Sequence, residues 1–184
     1  MPTPIGHALG GLIVGLALSS TGAGRQVGAG GQVGAGGRVG RWVGQDTGAI
    51  ALCAFAACVP DIDFFWGRHN METHSLGFTL LVGLVALAWT RGNRRAALAG
   101  TLAVCTHVLF DWLGSDDFPP LGVMALWPFS SNFYFANAFV FEAISRRYWL
   151  PGFVTHNLLA VLREVAILLP IVAGVWWLRK GLRR

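Results

Sequence analysis

Five apolar stretches dominate the chain, and each approaches the roughly 17–25 residues with which a helix crosses a bilayer. They run at about Thr3–Ser20, Trp42–Val59, His74–Thr90, Ala96–Leu113 and Leu158–Leu178. The second is cleanly apolar only from Thr47, so it crosses only with Trp42–Asp46 in the headgroup zone. This pattern predicts an all-α, polytopic integral membrane protein with about five transmembrane helices, residues 1–184 forming a single membrane domain. A chain 54% hydrophobic and 12% charged, with mean hydropathy +0.54, fits that class and would be odd for a soluble domain.

The remaining composition narrows function. The excess charge is almost all arginine, which in so apolar a chain marks membrane flanks rather than a nucleic-acid surface. Cys53, Cys58 and Cys105 all fall in apolar runs, so neither a disulfide framework nor a cysteine-rich zinc motif is on offer. The stretch 5-IGHALGGLIVGLALSS-20 resembles a signal-peptide core, but no Lys or Arg precedes it. A retained first span is the expectation.

Residues 22–41 form a Gly-rich linker with nothing to bury, and no strand or Gly-Lys-Ser/Thr accompanies it to make a phosphate cradle. Residues 114–152 form a long aromatic outer loop. Ser130 or Ser131 could cap an interfacial helix running to about Arg147, and a loop folded over the helix ends is the other reading. Arg25, Arg38 and Arg41, then Arg91, Arg94 and Arg95, then Arg179, Lys180, Arg183 and Arg184 share one side of the membrane. The positive-inside rule puts that side in the cytoplasm, with the N-terminus outside and the C-terminus inside.

With that threading, the polar residues hardest to explain as anchors collect at one face. His7 stands at the outer end of the first span. The loop 60-PDIDFFWGRHNMETHSLGF-78 carries Asp61, Asp63, His69, Glu72 and His74, and 106-THVLFDW-112 places His107 and Asp111 at the outer end of the fourth span. His107 and Asp111 are four residues apart and project from one helical face, a spacing that holds a metal ion or a plain hydrogen-bonded pair. Ionisable groups inside a span are expensive and usually functional. The candidate ligands are His7, Asp61, Asp63, His69, His74, His107 and Asp111. Imidazole and carboxylate without thiolate suit Zn²⁺, Mn²⁺ or Fe²⁺, and so many donors would suit two ions sharing a carboxylate. Glu72 or one Asp could serve as general base, although Glu72 also reads as a solvated loop charge.

The ordered pieces His7, 60-PDID-63, 69-HNMETHS-75, 107-HVLFD-111 and 127-WPFS-130 resemble the YdjM-like, LexA-regulated group of membrane-bound metal-dependent hydrolases. The likeness runs from the first span to Ser130 and leaves the last span uncovered. It departs at 69-HNMETHS-75, where Arg-Gly is expected after the first His. The resemblance implies a bacterial inner-membrane hydrolase whose metal site is built from those residues.

An outward-facing metal centre at the span ends would meet lipid headgroups. The leading expectation is therefore hydrolysis of an ester, a phosphoester of a lipid or other small membrane-proximal substrate, by metal-activated water. A metal-binding transporter and a non-catalytic structural membrane protein are the alternatives. The transporter normally places its site at the bilayer midplane, and the structural protein would hold no metal.

Overall fold

Helix boundaries follow from local chemistry along the chain. Pro4 occupies the first position of α1 (Pro4–Leu18), where its missing N–H costs no hydrogen bond. Helix α2 (Asp46–Cys58) ends where Pro60 tightens the chain into a 3₁₀ segment, Val59–Trp66. A second 3₁₀ turn, Glu72–His74, leads to Ser75, whose hydroxyl accepts from the Phe78 N–H at 3.0 Å and opens α3 (Leu76–Trp89). Asn93 caps α4 (Arg94–Leu113) in the same way, accepting from the N–H groups of Arg95 and Ala96 at 3.1 Å each. Helix α5 (Phe153–Gly181) closes the order. The computed structural model describes residues 1–18, 46–66, 69–117 and 119–181, so the Gly-rich linker lies outside the described residues.

The five helices and the absence of a strand among the described residues match the expected all-α class. Three apolar helical stretches, Thr47–Phe65, Arg94–Leu113 and Phe153–Gly181, are long enough to cross a bilayer. Helices α1 and α3 have 15 and 14 residues. At 1.5 Å per residue they reach only about 21–23 Å of a roughly 30 Å core. The third stretch is helical only from Leu76, because Ser75 serves as cap and His74 stays in the preceding 3₁₀ turn.

Helix α1 is the central post, packed against α2, α4 and α5, while α3 packs on α4. Its glycines make this possible. A Cβ on Gly11 would stand 2.2 Å from the Cys53 carbonyl oxygen, and one on Gly15 2.8 Å from the Ile50 Cα. Paired small residues four apart let two helix backbones meet in this way. Large apolar side chains point the other way: Phe55 is 71% exposed, Trp89 74% and Trp177 70%, whereas Ala57, Ala103, His7, His74, His107 and Asp111 are buried. Small and polar inside, bulky and apolar outside, is the arrangement that lipid as a solvent favours.

The expected interfacial helix from Ser130 to Arg147 does not form. The chain there is extended and straps the end of the bundle, with isolated bridges pairing Gly114 with Phe141 and Val123 with Tyr134. The reason is where its backbone donors go. The Ala136 and Val140 N–H groups donate to the Trp112 and Leu113 carbonyls at 2.7 and 2.9 Å, satisfying acceptors that α4 leaves open at its C-terminus. The Ala143 N–H donates to the Ser115 hydroxyl at 2.7 Å. These long-range bonds replace the i→i−4 bonds a helix would need.

Candidate metal centre

The start of α1, the end of α2, the start of α3 and the end of α4 gather at one end of the bundle, and the predicted polar residues meet there. His107 Nε2 lies 3.1 Å from Asp111 Oδ2, and His74 Nε2 lies 3.4 Å from that same oxygen. His7 Nε2 stands 3.4 Å from Asp111 Oδ1. Asp61 Oδ1 is 3.7 Å from Nε2 of both His74 and His107. The rings of His7 and His107 stack with centroids 3.6 Å apart. Five residues from four segments thus point nitrogen or oxygen at one small volume.

Two observations test whether a cation fits. The first is spacing: tetrahedral ligation at about 2.0–2.1 Å sets neighbouring donor atoms about 3.3 Å apart. The nitrogen–oxygen separations given above span 3.1 to 3.7 Å. The second is satisfaction. His74 Nε2, His107 Nε2 and both Asp111 oxygens are buried without a hydrogen-bond partner. Four such atoms side by side would be costly unless something binds them. A divalent ion satisfies all four at once.

The outward nitrogens of the same rings are held. His107 Nδ1 donates to the Ala57 carbonyl at 2.7 Å, which turns Nε2 inward. His74 Nδ1 lies 3.1 Å from Asp63 Oδ2 and 3.1 Å from the Thr73 hydroxyl. Imidazole ligands are commonly fixed by such a carbonyl or carboxylate on the far nitrogen. Burial disfavours a charged His74, but the carboxylates of Asp61, Asp63 and Asp111 around it outweigh that and push its pKa up to about 9.

Asp63, expected among the ligands, is placed differently. Its Oδ1 faces His69 Nδ1 at 2.8 Å, and its Oδ2 accepts from the Asn70 N–H at 3.2 Å and the Thr73 hydroxyl at 2.9 Å, besides facing His74. Both oxygens thus have partners in the loop, and Asp63 belongs to none of the three metal-capable sets found among the described residues. His69 lies toward the rim, its ring 3.9 Å from that of Phe64, and forms a second, overlapping set with Asp61 and His74. Glu72 belongs to none of the three metal-capable sets found among the described residues. Nor do the cysteines; Cys53 packs in the small-residue core between α2 and α4. The 127-WPFS-130 motif supplies no ligand. It seats the first turn of α3, where the Leu76 N–H donates to the Ala125 carbonyl at 2.9 Å. A Cβ on Gly77 would meet the Trp127 carbonyl oxygen at 2.3 Å.

One buried carboxylate escapes the sequence reading. Glu164, on α5, is fully buried and accepts from Thr3 twice, from the N–H at 2.7 Å and from the hydroxyl. Gly6 leaves it room, because a Cβ there would stand 2.9 Å from Glu164 Oε2. Thr3 in turn accepts from the His7 N–H at 3.1 Å, so Glu164 fixes the turn that carries His7. The available signal was an acidic residue inside a long, mostly apolar helix.

Beside the cluster is a cleft of about 300 Å³, lined in part by Asp61, Phe64, His69 and Arg146. The Asp61 side chain is 18% exposed while those of His7, His74, His107 and Asp111 are at or below 1%, so Asp61 is the way in.

Fold and site together define a polytopic helical membrane protein with a buried His–Asp centre at one end of its bundle. The chain belongs to the YdjM inner membrane protein family, whose sequence profile matches residues 1–181. That match covers α5 as well, which the motif resemblance leaves out. No curated protein and no solved structure matches the chain.

Proposed function

We propose that the protein is a membrane-embedded, metal-dependent hydrolase acting on an ester, a phosphoester of a lipid or other membrane-proximal substrate. The observation that carries this reading is the convergence of unpartnered, buried imidazole and carboxylate atoms beside a cleft. The donor set suits Zn²⁺, with Mn²⁺ or Fe²⁺ as alternatives. A divalent ion there would acidify water and polarise the ester.

The residues divide the work. His7, His74, His107 and Asp111 would hold the ion, and Asp63 and the Ala57 carbonyl would orient the ligating imidazoles. Asp61 faces both the centre and the cleft, so it is placed to receive the proton of attacking water or, with His69 as a further ligand, to bridge a second ion. Attack by the water oxygen would form the new oxygen–phosphorus bond as the ester phosphorus–oxygen bond breaks, and the leaving alkoxide would take up the proton that Asp61 received from the water. The arginine distribution puts this end of the bundle outside the cytoplasm.

Elemental analysis of the purified protein tests the reading. We expect at least one bound divalent ion per chain, lost in Asp111→Asn. A well-folded protein free of divalent metal would overturn it, and metal-dependent uptake by vesicles without hydrolysis would replace it with transport. Reporters after Arg184 and within 115–117 should report cytoplasm and exterior respectively.

A further inference from the structure

Two independent rulers give the depth of the centre in the bilayer. The first is α5. Its last turn carries Arg179 and Lys180 just after Trp176 and Trp177, the combination of aromatic and cationic anchors that marks a membrane boundary. From Arg179 back to Glu164 the helix covers about 22 Å, which leaves about 8 Å of a roughly 30 Å hydrocarbon core beyond Glu164. That remainder ends near Leu159, and soon outward of it come the polar Asn157, His156 and Thr155. Glu164 accepts from Thr3, so the turn bearing His7 lies at the same depth. Arg163 beside it turns its guanidinium to Glu142 and the Phe139 carbonyl in the strap, as a long cationic side chain does when its backbone is submerged.

The second ruler is the 3₁₀ segment Val59–Trp66. Three residues per turn give it three faces. Pro60 and Asp63 are buried, Asp61 and Phe64 line the cleft, and Ile62 and Phe65 point outward, Phe65 being 88% exposed. The outward pair prolongs the exposed Leu52 and Phe55 of α2, and Thr47–Phe65 as a whole is long and apolar enough to cross a bilayer. Asp61 lies about 8 Å short of Phe65 along this segment. At the same end of the bundle, α3 is about 9 Å too short for the core. The turn after Ala125, whose carbonyl accepts from the Leu76 N–H, adds the exposed Leu126 and Phe129 there, Phe129 being 96% exposed.

We propose that outer-leaflet lipid covers Ile62, Phe65, Leu126 and Phe129, and that the His–Asp centre lies about 8 Å inside the hydrocarbon layer instead of at its surface. Rings this bare are a liability in water and ordinary against acyl chains. The cleft, lined also by Asp116 and Asp117 just past the end of α4, is the aqueous way down. For substrate the proposal rests on the hydrolase reading: an ester carried by a bilayer lipid is already beside the cleft, whereas a water-soluble one must descend it. The depth itself needs no hydrolysis.

The test places nitroxide labels at Ile62→Cys, Phe65→Cys and Phe129→Cys, one at a time, with Cys53, Cys58 and Cys105 replaced by alanine. The full chain is reconstituted in phosphatidylcholine vesicles. Oxygen concentrates in lipid and a nickel chelate stays in water, and doxyl-labelled lipids calibrate depth. All three labels should meet oxygen more readily than the chelate, with Ile62 about 6 Å deeper than Phe65. On the unmodified protein in the same vesicles, hydroxyl radicals should oxidise Phe65 and Phe129 no more than Phe55. A label that favours the chelate, or oxidation of Phe65 or Phe129 well above that of Phe55, overturns the inference. Neither readout needs metal or turnover. Lipid-covered labels in a metal-free protein would sustain the depth while the hydrolase reading falls, and chelate-accessible labels in a metal-loaded protein would do the reverse.

Discussion

His74 stands between two carboxylates, with Nδ1 3.1 Å from Asp63 Oδ2 and Nε2 3.4 Å from Asp111 Oδ2. The two acids flank one ring, and in the proposed centre they would have opposite duties: one would orient the imidazole and the other share its target. Asp63→Asn should lower metal affinity about 10–100-fold, the usual cost of losing a ligand's support. Asp111→Asn should remove binding altogether. Competition against a chelator of known affinity separates the two. Equal losses would make Asp63 a ligand.

Removing the ion should loosen the bundle. It would tie α1, the α2–α3 connection and α4 together, so chelation should lower the melting temperature of the detergent-solubilised protein. An ion present at a hundred times its dissociation constant contributes about 2.7 kcal/mol. Asp111→Asn should melt at one temperature with or without chelator. A chelator effect that persists in this variant would place the ion elsewhere.

Gly11→Ala should destabilise the protein by about 1–3 kcal/mol or more, because the new methyl meets backbone that cannot yield. The nearest atom is the Cys53 carbonyl oxygen, at 2.2 Å. Gly174→Ala is the matched control, since nothing lies within 4 Å of its Cβ position. On a helix that change should be neutral or gain roughly 0.5–1 kcal/mol. Thermal melts of the two variants check the pair, and equal melting temperatures would argue against the close α1–α2 crossing.

Glu164→Gln removes one of two acceptors facing Thr3 and should cost about 1.5–3 kcal/mol. Because Thr3 anchors the turn bearing His7, the variant should also bind metal more weakly than wild type. Arg163→Gln, which breaks exposed contacts only, the pair with Glu142 and a hydrogen bond to the Phe139 carbonyl, should leave metal affinity unchanged and cost less stability than Glu164→Gln. Chelator competition and melting curves on both variants give the comparison. Unchanged metal affinity in Glu164→Gln would confine Glu164 to holding helices together.

The polar centre was legible because contrast made it so. His7, Asp61, His74, His107 and Asp111 interrupt or end apolar runs, and alternating crossings bring those ends together. What Asp63 does was not legible. Whether a carboxylate ligates or braces depends on which way a 3₁₀ segment turns it, and spacing two residues from Asp61 says nothing of that. Ser130 and its aromatic followers looked helical locally, but their donors are claimed by Trp112, Leu113 and Ser115, contacts no local pattern announces. Glu164 went unread beside Arg163, although one side chain is exposed and the other wholly buried. The Gly11 and Gly15 spacing was readable all along as a close helix crossing.

The bond between Glu164 and Thr3 also sets an order of events in biosynthesis. The first ligand, His7, leaves the ribosome early, but the residue that fixes its turn is made near the end of the chain. Until α5 has entered the bilayer, α1 lacks its anchor and the His74, His107 and Asp111 atoms lack their fourth wall. A nascent chain stalled before Glu164 should thus be inserted yet hold an ion in the proposed centre less tightly. Loading of the proposed centre would then follow the entry of α5 into the bundle.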